Sequence, residues 1–250
     1  AKGEQLTRTK KTIGVELLEA KQLTKKYGER PALDALDLQI APGEVYCLVG
    51  ANGAGKTTTI SLFLNFISPT SGAAFVNGIC IAEQPALAKS HLAYIPETVS
   101  LYGQLSGMEN LDYFSTLAGH RLSREDKLAL LDRVRLRKED IGRRAVEYSK
   151  GMRQKVGIAI ALAKNASAIL MDEPTSGLDP QAANELSTLV KQLGEQQTTV
   201  LMATHDLYRA KEIASNIGIM KQGRLVETVK PGDVSHAELE SIALRNMQFQ

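Results

Sequence analysis

The sequence contains no tryptophan, two cysteines in 250 residues, and aromatic side chains at only 5%. Cys47 and Cys80 both lie in apolar, strand-like runs and lack metal-ligand spacing. That excludes a disulfide framework and a zinc knuckle, and predicts two buried thiols in a reducing, cytosolic compartment. Charge of one sign is also scarce in net terms: 30 Lys and Arg against 28 Asp and Glu leave +2, so composition does not point to nucleic acid. The basic residues that do cluster, Lys2, Arg8, Lys10 and Lys11, predict a flexible tail over residues 1–14 rather than a membrane-surface contact. Long apolar runs are missing too. The longest candidate, Gly157 to Ala163, falls far short of the ~20 residues of a membrane-spanning helix. No stretch has the form of a signal peptide. A role at a membrane would therefore need another chain to cross it.

What is present is enough apolar material, 43%, for one large core. Leu36, Leu38 and Ile40 alternate with Asp37 and Gln39, the period of a half-buried strand. After a turn at Pro42-Gly43, Val45 to Val49 forms a continuous apolar strand that runs into a glycine-rich loop, and Thr57 to Phe66 reads as a helix. Asn77-Gly78 between apolar runs predicts a hairpin. From about residue 85 to 148 the pattern turns helical. Capping boxes open at Ser106 and Ser123, and buried faces are expected from Leu111, Phe114, Leu117 and Ala118, then from Leu128, Leu131 and Val134. Strands and helices alternate again over 149–230. Asp179 caps a helix with Pro180 at its first position, and Ile217 to Val229 reads as a hairpin turning at Gln222-Gly223. A last helix is expected within 231–250.

The segment Gly50-Ala51-Asn52-Gly53-Ala54-Gly55-Lys56-Thr57 matches G-x-x-x-x-G-K-[ST] at every fixed position, with Thr58 following. Glycines let backbone N–H groups wrap a phosphate, and the helix behind them adds its positive end. Lys56 is expected to reach the β- and γ-phosphates and Thr57 to ligate Mg²⁺. A turn that binds nothing is the bland reading, and the strand before and helix after argue against it. Ala168 to Met171 leads into Asp172-Glu173-Pro174, an apolar strand ending in a carboxylate suited to Mg²⁺. Glu173 beside it can serve as base for the attacking water. Ser149 stands where a helix from Lys150 would be N-capped, which puts a hydroxyl, the small Gly151 and a positive helix end at a second anion site.

Tyr148-Ser149-Lys150-Gly151-Met152 resembles the L-S-G-G-Q signature of ATP-binding-cassette (ABC) proteins, shortly before Asp172-Glu173 as in that family. Ser176-Gly177-Leu178-Asp179 resembles its D-loop, His205 its switch histidine, expected to steady the γ-phosphate, and Tyr27 the aromatic that stacks on adenine. The resemblance runs from about Val15 to Val229. Taken alone, Tyr27, His205 and Ser149 each have ordinary readings: a half-buried tyrosine, a satisfied histidine, a helix cap. The resemblance implies an α/β fold, a P-loop NTPase core of mainly parallel sheet with an antiparallel β part, the latter and the P-loop core together over residues 15–84, and an inserted helical lobe (85–148). It implies ATP and Mg²⁺ as ligands. It further implies a dimer in which Ser149, Lys150 and Gly151 of one subunit complete the ATP site of the other, a second copy or a paralogous cassette. Integral membrane permease subunits, gripped by the lobe near Glu97 to Gly103, are implied at the cytoplasmic face of a membrane.

Two positions depart from the family pattern. Lys150 stands for the signature's first Gly, with Met152 for its Gln, and Lys150 either adds charge at the phosphate or faces solvent. In Tyr94-Ile95-Pro96-Glu97 a carboxylate replaces the usual Gln, as a Mg²⁺ contact that is direct or through water. Both departures resemble a branch of exporter subunits that pair with separately encoded membrane proteins. Two rivals remain open here: a soluble ABC-type ATPase acting on nucleic acid or ribosomes, and a signalling ATPase that transports nothing. The lack of an N-K-x-D base-reading motif argues against a P-loop GTPase.

Overall fold

The computed structural model describes residues 16–248, so the basic cluster of the expected tail lies outside the described residues. Strand β1 (Leu18–Tyr27) pairs antiparallel with β2 (Arg30–Ile40) and with β4 (Ser71–Val76), and β4 turns at Asn77-Gly78 into β5 (Ile79–Cys80). The alternation predicted for β2 holds: Leu36, Leu38 and Ile40 are buried, Asp37 and Gln39 exposed. The second sheet has the order β10-β9-β3-β8-β7-β6. Strands β3 (Val45–Val49), β6 (Leu92–Ile95), β7 (Ala168–Asp172), β8 (Thr199–Thr204) and β9 (Asn216–Lys221) run parallel, and β10 (Arg224–Val229) returns antiparallel along one edge.

Both faces of this sheet are covered at its centre, which is why β3, β7 and β8 are buried along their whole length, while the edge strand β10 alternates exposed residues with half-buried or buried ones. Val45, Cys47 and Val49 of β3 point into one core with α5 (Lys150–Ala163) and α6 (Pro180–Glu195). Tyr46 and Leu48 point into the other, shared with the antiparallel sheet and α1 (Lys56–Phe63). Strand β7 divides in the same way, Ile169 and Met171 to one side, Ala168 and Leu170 to the other.

The helical lobe begins later than residue 85. Helix α2 (Pro85–Ser90) is followed by β6, whose Ile95 pairs with Met171, so residues 92–95 belong to the core sheet. A four-residue strand between helical segments is too short to show a period. The lobe proper carries α3 (Gly107–Leu117), α4 (Arg124–Arg133) and the start of α5. Ser106 and Ser123 each form a complete capping box, with Glu109 and Asp126. Leu111, Leu131 and Val134 are buried as expected, but Leu117 is 72% exposed, and Ala118 and Leu128 are exposed as well. Helical spacing identifies a face; it does not say how far along the helix a neighbour reaches. Cys80 is another correction, half-buried on the short edge strand β5 where Cys47 is fully enclosed. Helix α1 ends at Phe63, earlier than residue 66, and Phe66 is exposed.

Tyr148 locks the lobe onto the signature segment. Its buried hydroxyl donates to Asp140 O at 2.6 Å and accepts the Gly107 N–H at 3.1 Å. Tyr148→Phe leaves the buried Gly107 N–H unpaired, while Asp140 O keeps the Arg143 N–H at 3.1 Å, and the variant is expected to lower unfolding free energy by about 1–3 kcal/mol in denaturant titration. A variant as stable as the parent would show that the Gly107 N–H finds another partner.

Candidate functional site

Strands β3, β7 and β8 are neighbours, so the loops at their carboxyl ends meet at one edge of the sheet, the usual ligand position in an open α/β fold. The loop after β3 wraps a cleft of about 430 Å³ lined by Asn52 to Thr58 together with Glu97, Asp172 and Glu173. Gly55, the residue before α1, has φ +106°, a conformation that needs glycine, and a Cβ there would meet Ala32 O at 2.8 Å. No side chain caps α1, so its first N–H groups are left for a ligand. Lys56 is buried, and its Nζ donates to Gly50 O at 2.6 Å and Ala51 O at 3.2 Å. The ammonium is thus stored against its own loop, beside the place a phosphate would occupy.

Thr57 Oγ1 donates to Asp172 Oδ1 at 3.1 Å, so a hydroxyl and a carboxylate converge at the mouth of the cleft. Burial raises the Asp172 pKa, the Thr57 hydrogen bond opposes this, and the charge of Glu173 adds to the rise. Among the described residues no group of three or more His, Cys, Asp or Glu could hold a metal by itself. A nucleotide-bound Mg²⁺ does not need one, because it takes one or two protein oxygens and completes its shell with phosphates and water. The Thr57–Asp172 pair fits that donor set.

Glu173 has φ +45°, left-handed for a non-glycine residue, and its N–H is held by Ala203 O at 2.9 Å. One carboxylate oxygen lies 2.9 Å from His205 Nδ1, and the other 3.7 Å from Lys56 Nζ. The structure therefore brings His205 to Glu173, which lines the same cleft as Lys56. Glu97 accepts from Ser176 Oγ at 2.8 Å, and its backbone oxygen accepts from Gln154 Nε2 at 2.9 Å. Tyr27 sits at the end of β1, opposite Arg30, 58% exposed, with Lys25 Nζ 5.2 Å from its ring centroid.

Ser149 N-caps α5 through the Met152 N–H at 3.2 Å, and Asp179 caps α6 through the Ala182 N–H at 2.9 Å. With Gly151 they line a second cleft of about 450 Å³, with basic and acidic side chains in balance, that shares no lining residue with the first. A larger cleft, about 860 Å³, lies between α3 and α4 and holds none of these residues. Sequence reasoning missed Gln154 and Gly223, and it placed Ser176 in the D-loop without its contact to Glu97. Gly223 donates to Ala54 O at 3.0 Å and buttresses the phosphate loop from the β9–β10 turn. Only the turn signal at Gln222-Gly223 marked it, and nothing there foretold the contact.

A family model described as ABC transporter matches residues 33–176. The chain belongs to the ABC transporter family. Bacitracin transport ATP-binding protein BcrA of Enterococcus faecalis is 36% identical over 85% of this chain and 69% of its own length. The probable multidrug ABC transporter ATP-binding protein YbhF of Escherichia coli is 34% identical over 89% of this chain, and the chain spans only 39% of that relative's length. A solved ATP-binding subunit of an ABC transporter superimposes with a TM-score of 0.77 at 31% identity, over 91% of this chain and 99% of that one. A dimeric ATP-binding cassette in a post-hydrolysis state with ADP and Pi gives 0.74 at 27% identity, over 86% and 98%. As an ABC cassette the chain is an ATP-binding protein and an ATPase, with the P-loop α/β fold of that family.

Proposed function

We propose that the chain hydrolyses ATP with Mg²⁺ as one of two cassettes that close around two nucleotides, and that it powers a membrane exporter. The observation that carries this reading is that one chain holds two helix N-termini opening on separate clefts, at Lys56 and at Ser149, with Asp172 and Glu173 beside only the first. Lys56 would leave Gly50 O for the β- and γ-phosphates. Thr57 and Asp172 would hold Mg²⁺, with Glu97 beside them, and the ion would neutralise charge on the phosphates. Glu173 would take the proton of the attacking water, and His205 would hold Glu173 in place. Asn52, Gly53, Ala54, Gly55 and Thr58 would line the phosphates. Ser149, Lys150, Gly151 and Asp179 would face the partner cassette.

Tyr27 would stack on adenine, and its exposure leaves a ring face open for that. Tyr27→Ala should weaken ATP binding by about 1–3 kcal/mol, with Phe or Trp restoring it. Equal affinities for all these variants in a nucleotide titration would remove Tyr27 from the base site.

The membrane partner is an integral permease that docks at the cytoplasmic face, with no nucleic acid involved. Among the described residues no helix is long and apolar enough to cross a membrane. The names of the relatives, bacitracin transport and multidrug transport among them, support an export role. An aromatic patch built from Tyr102, which follows Glu97 along the chain, and from α3 suits docking. Tyr102, Tyr113 and Phe114 pack ring on ring with centroids 4.9–5.7 Å apart, and Leu117 on the same helix as Tyr113 and Phe114 is exposed. Replacing Tyr102 and Tyr113 together by Asp should abolish co-purification of the permease from detergent-solubilised membranes while the isolated cassette still hydrolyses ATP. Undiminished recovery would move the docking surface elsewhere, and the lack of any permease would favour a cassette that transports nothing.

A further inference from the structure

The two departures from the family pattern meet in space. Lys150 Nζ stands 3.7 Å from Glu97 Oε1, the oxygen that also accepts from Ser176 Oγ at 2.8 Å. Lys150 opens α5, Glu97 follows β6, and Ser176 lies in the loop before α6, so this cluster joins the lobe, the sheet edge and the loop that leads to Asp179. The same helix grips residues 96 and 97 through their backbone, because Gln154 Nε2 donates to Pro96 O at 3.2 Å and Glu97 O at 2.9 Å.

Charge explains why the pair is useful. Glu97 joins Asp172 and Glu173 around a cleft whose buried cation is Lys56. A nucleotide brings further negative charge, and a bare third carboxylate there would oppose it. We propose that Lys150 is a positioning residue for Glu97: it neutralises this carboxylate and, with Ser176, holds it against the signature helix, so that the two departures act as one compensated pair. The inference rests on the reading that the cassette closes around ATP. Glu97 is too exposed for the contact to contribute much to folding, so the effect falls on the charge of the cleft.

The test is a double-mutant cycle of Lys150→Gln and Glu97→Gln in the Glu173→Gln background, which stops turnover. The readout is the ATP concentration that gives half-maximal dimer in sedimentation velocity. Lys150→Gln alone leaves a bare carboxylate and should raise that concentration about fivefold. Whatever Glu97→Gln does by itself, adding Lys150→Gln to it should change the requirement by less than about twofold, since no carboxylate is left to neutralise. Nucleotide-free unfolding midpoints of the four proteins should agree within about 2 °C, which separates the effect from folding. An equal Lys150→Gln effect with and without Glu97 would overturn the pairing and assign the lysine to the nucleotide directly. No effect from Lys150→Gln would overturn it as well. A Glu173→Gln protein that stays monomeric at saturating ATP would instead sink the closed-dimer reading, and the pairing would then be judged by the same cycle on kcat/KM with Glu173 restored.

Discussion

Replacing Glu173 with Gln is expected to lower kcat for ATP hydrolysis about 10²–10⁴-fold while ATP still binds. The amide keeps the shape of the side chain and an oxygen for His205 Nδ1, now 2.9 Å from the carboxylate, but it cannot accept a proton from water. The residue is unusually well aimed for the task. Its backbone is left-handed, its N–H is tied to Ala203 O, and its two oxygens are held by His205 and approached by Lys56. Binding should survive because Lys56 and the phosphate loop are unchanged. Steady-state phosphate release gives kcat, and a nucleotide titration gives the affinity. A kcat within a few-fold of the parent would remove Glu173 from the role of base. A large loss of ATP affinity would show that the substitution disturbs the cradle instead.

The second large effect is expected at Ser149. In the Glu173→Gln background ATP should convert monomer to dimer, because a ligand that is part of the interface drives association by linkage. Adding Ser149→Arg should abolish that dimer. The hydroxyl caps α5 at the mouth of the second cleft, where the partner's γ-phosphate would sit, and an arginine side chain would fill that space. ATP binding to the monomer should be nearly unaffected, since the second cleft shares no lining residue with the phosphate loop. Loss of the cap costs about 1 kcal/mol of helix stability, too little to unfold the domain. Sedimentation with and without ATP reads the result. Dimerisation of the double variant at the same ATP concentration as Glu173→Gln alone would show that Ser149 does not act across an interface.

How legible the chain was depended on the range of the interaction. The phosphate loop and its helix, the apolar strand ending at Asp172, the caps at Ser106, Ser123, Ser149 and Asp179, and the turn at Asn77-Gly78 were readable because each is a backbone requirement met by neighbouring residues. Strand β6 was not readable, because its membership of the core sheet comes from pairing with β7, far along the chain. The outward turn of Leu117 was not readable either, since a helical period is blind to where the neighbouring helix ends.

The sequence by itself determined that this protein binds a nucleoside triphosphate, since glycine, lysine and threonine at fixed spacing create the cradle through local backbone geometry. It also determined the ABC family, through the signature and the acids after β7. Only the tertiary structure decided how these pieces face one another. Parallel pairing of β3, β8 and β7 puts Thr57 on Asp172 and His205 beside Glu173. Packing of α5 against the end of β6 brings Lys150 to Glu97, and the turn at Gly223 to the phosphate loop is a contact of the same kind. Sheet order and helix packing act between residues that no local pattern connects, so the charges they bring together are invisible until the chain is folded.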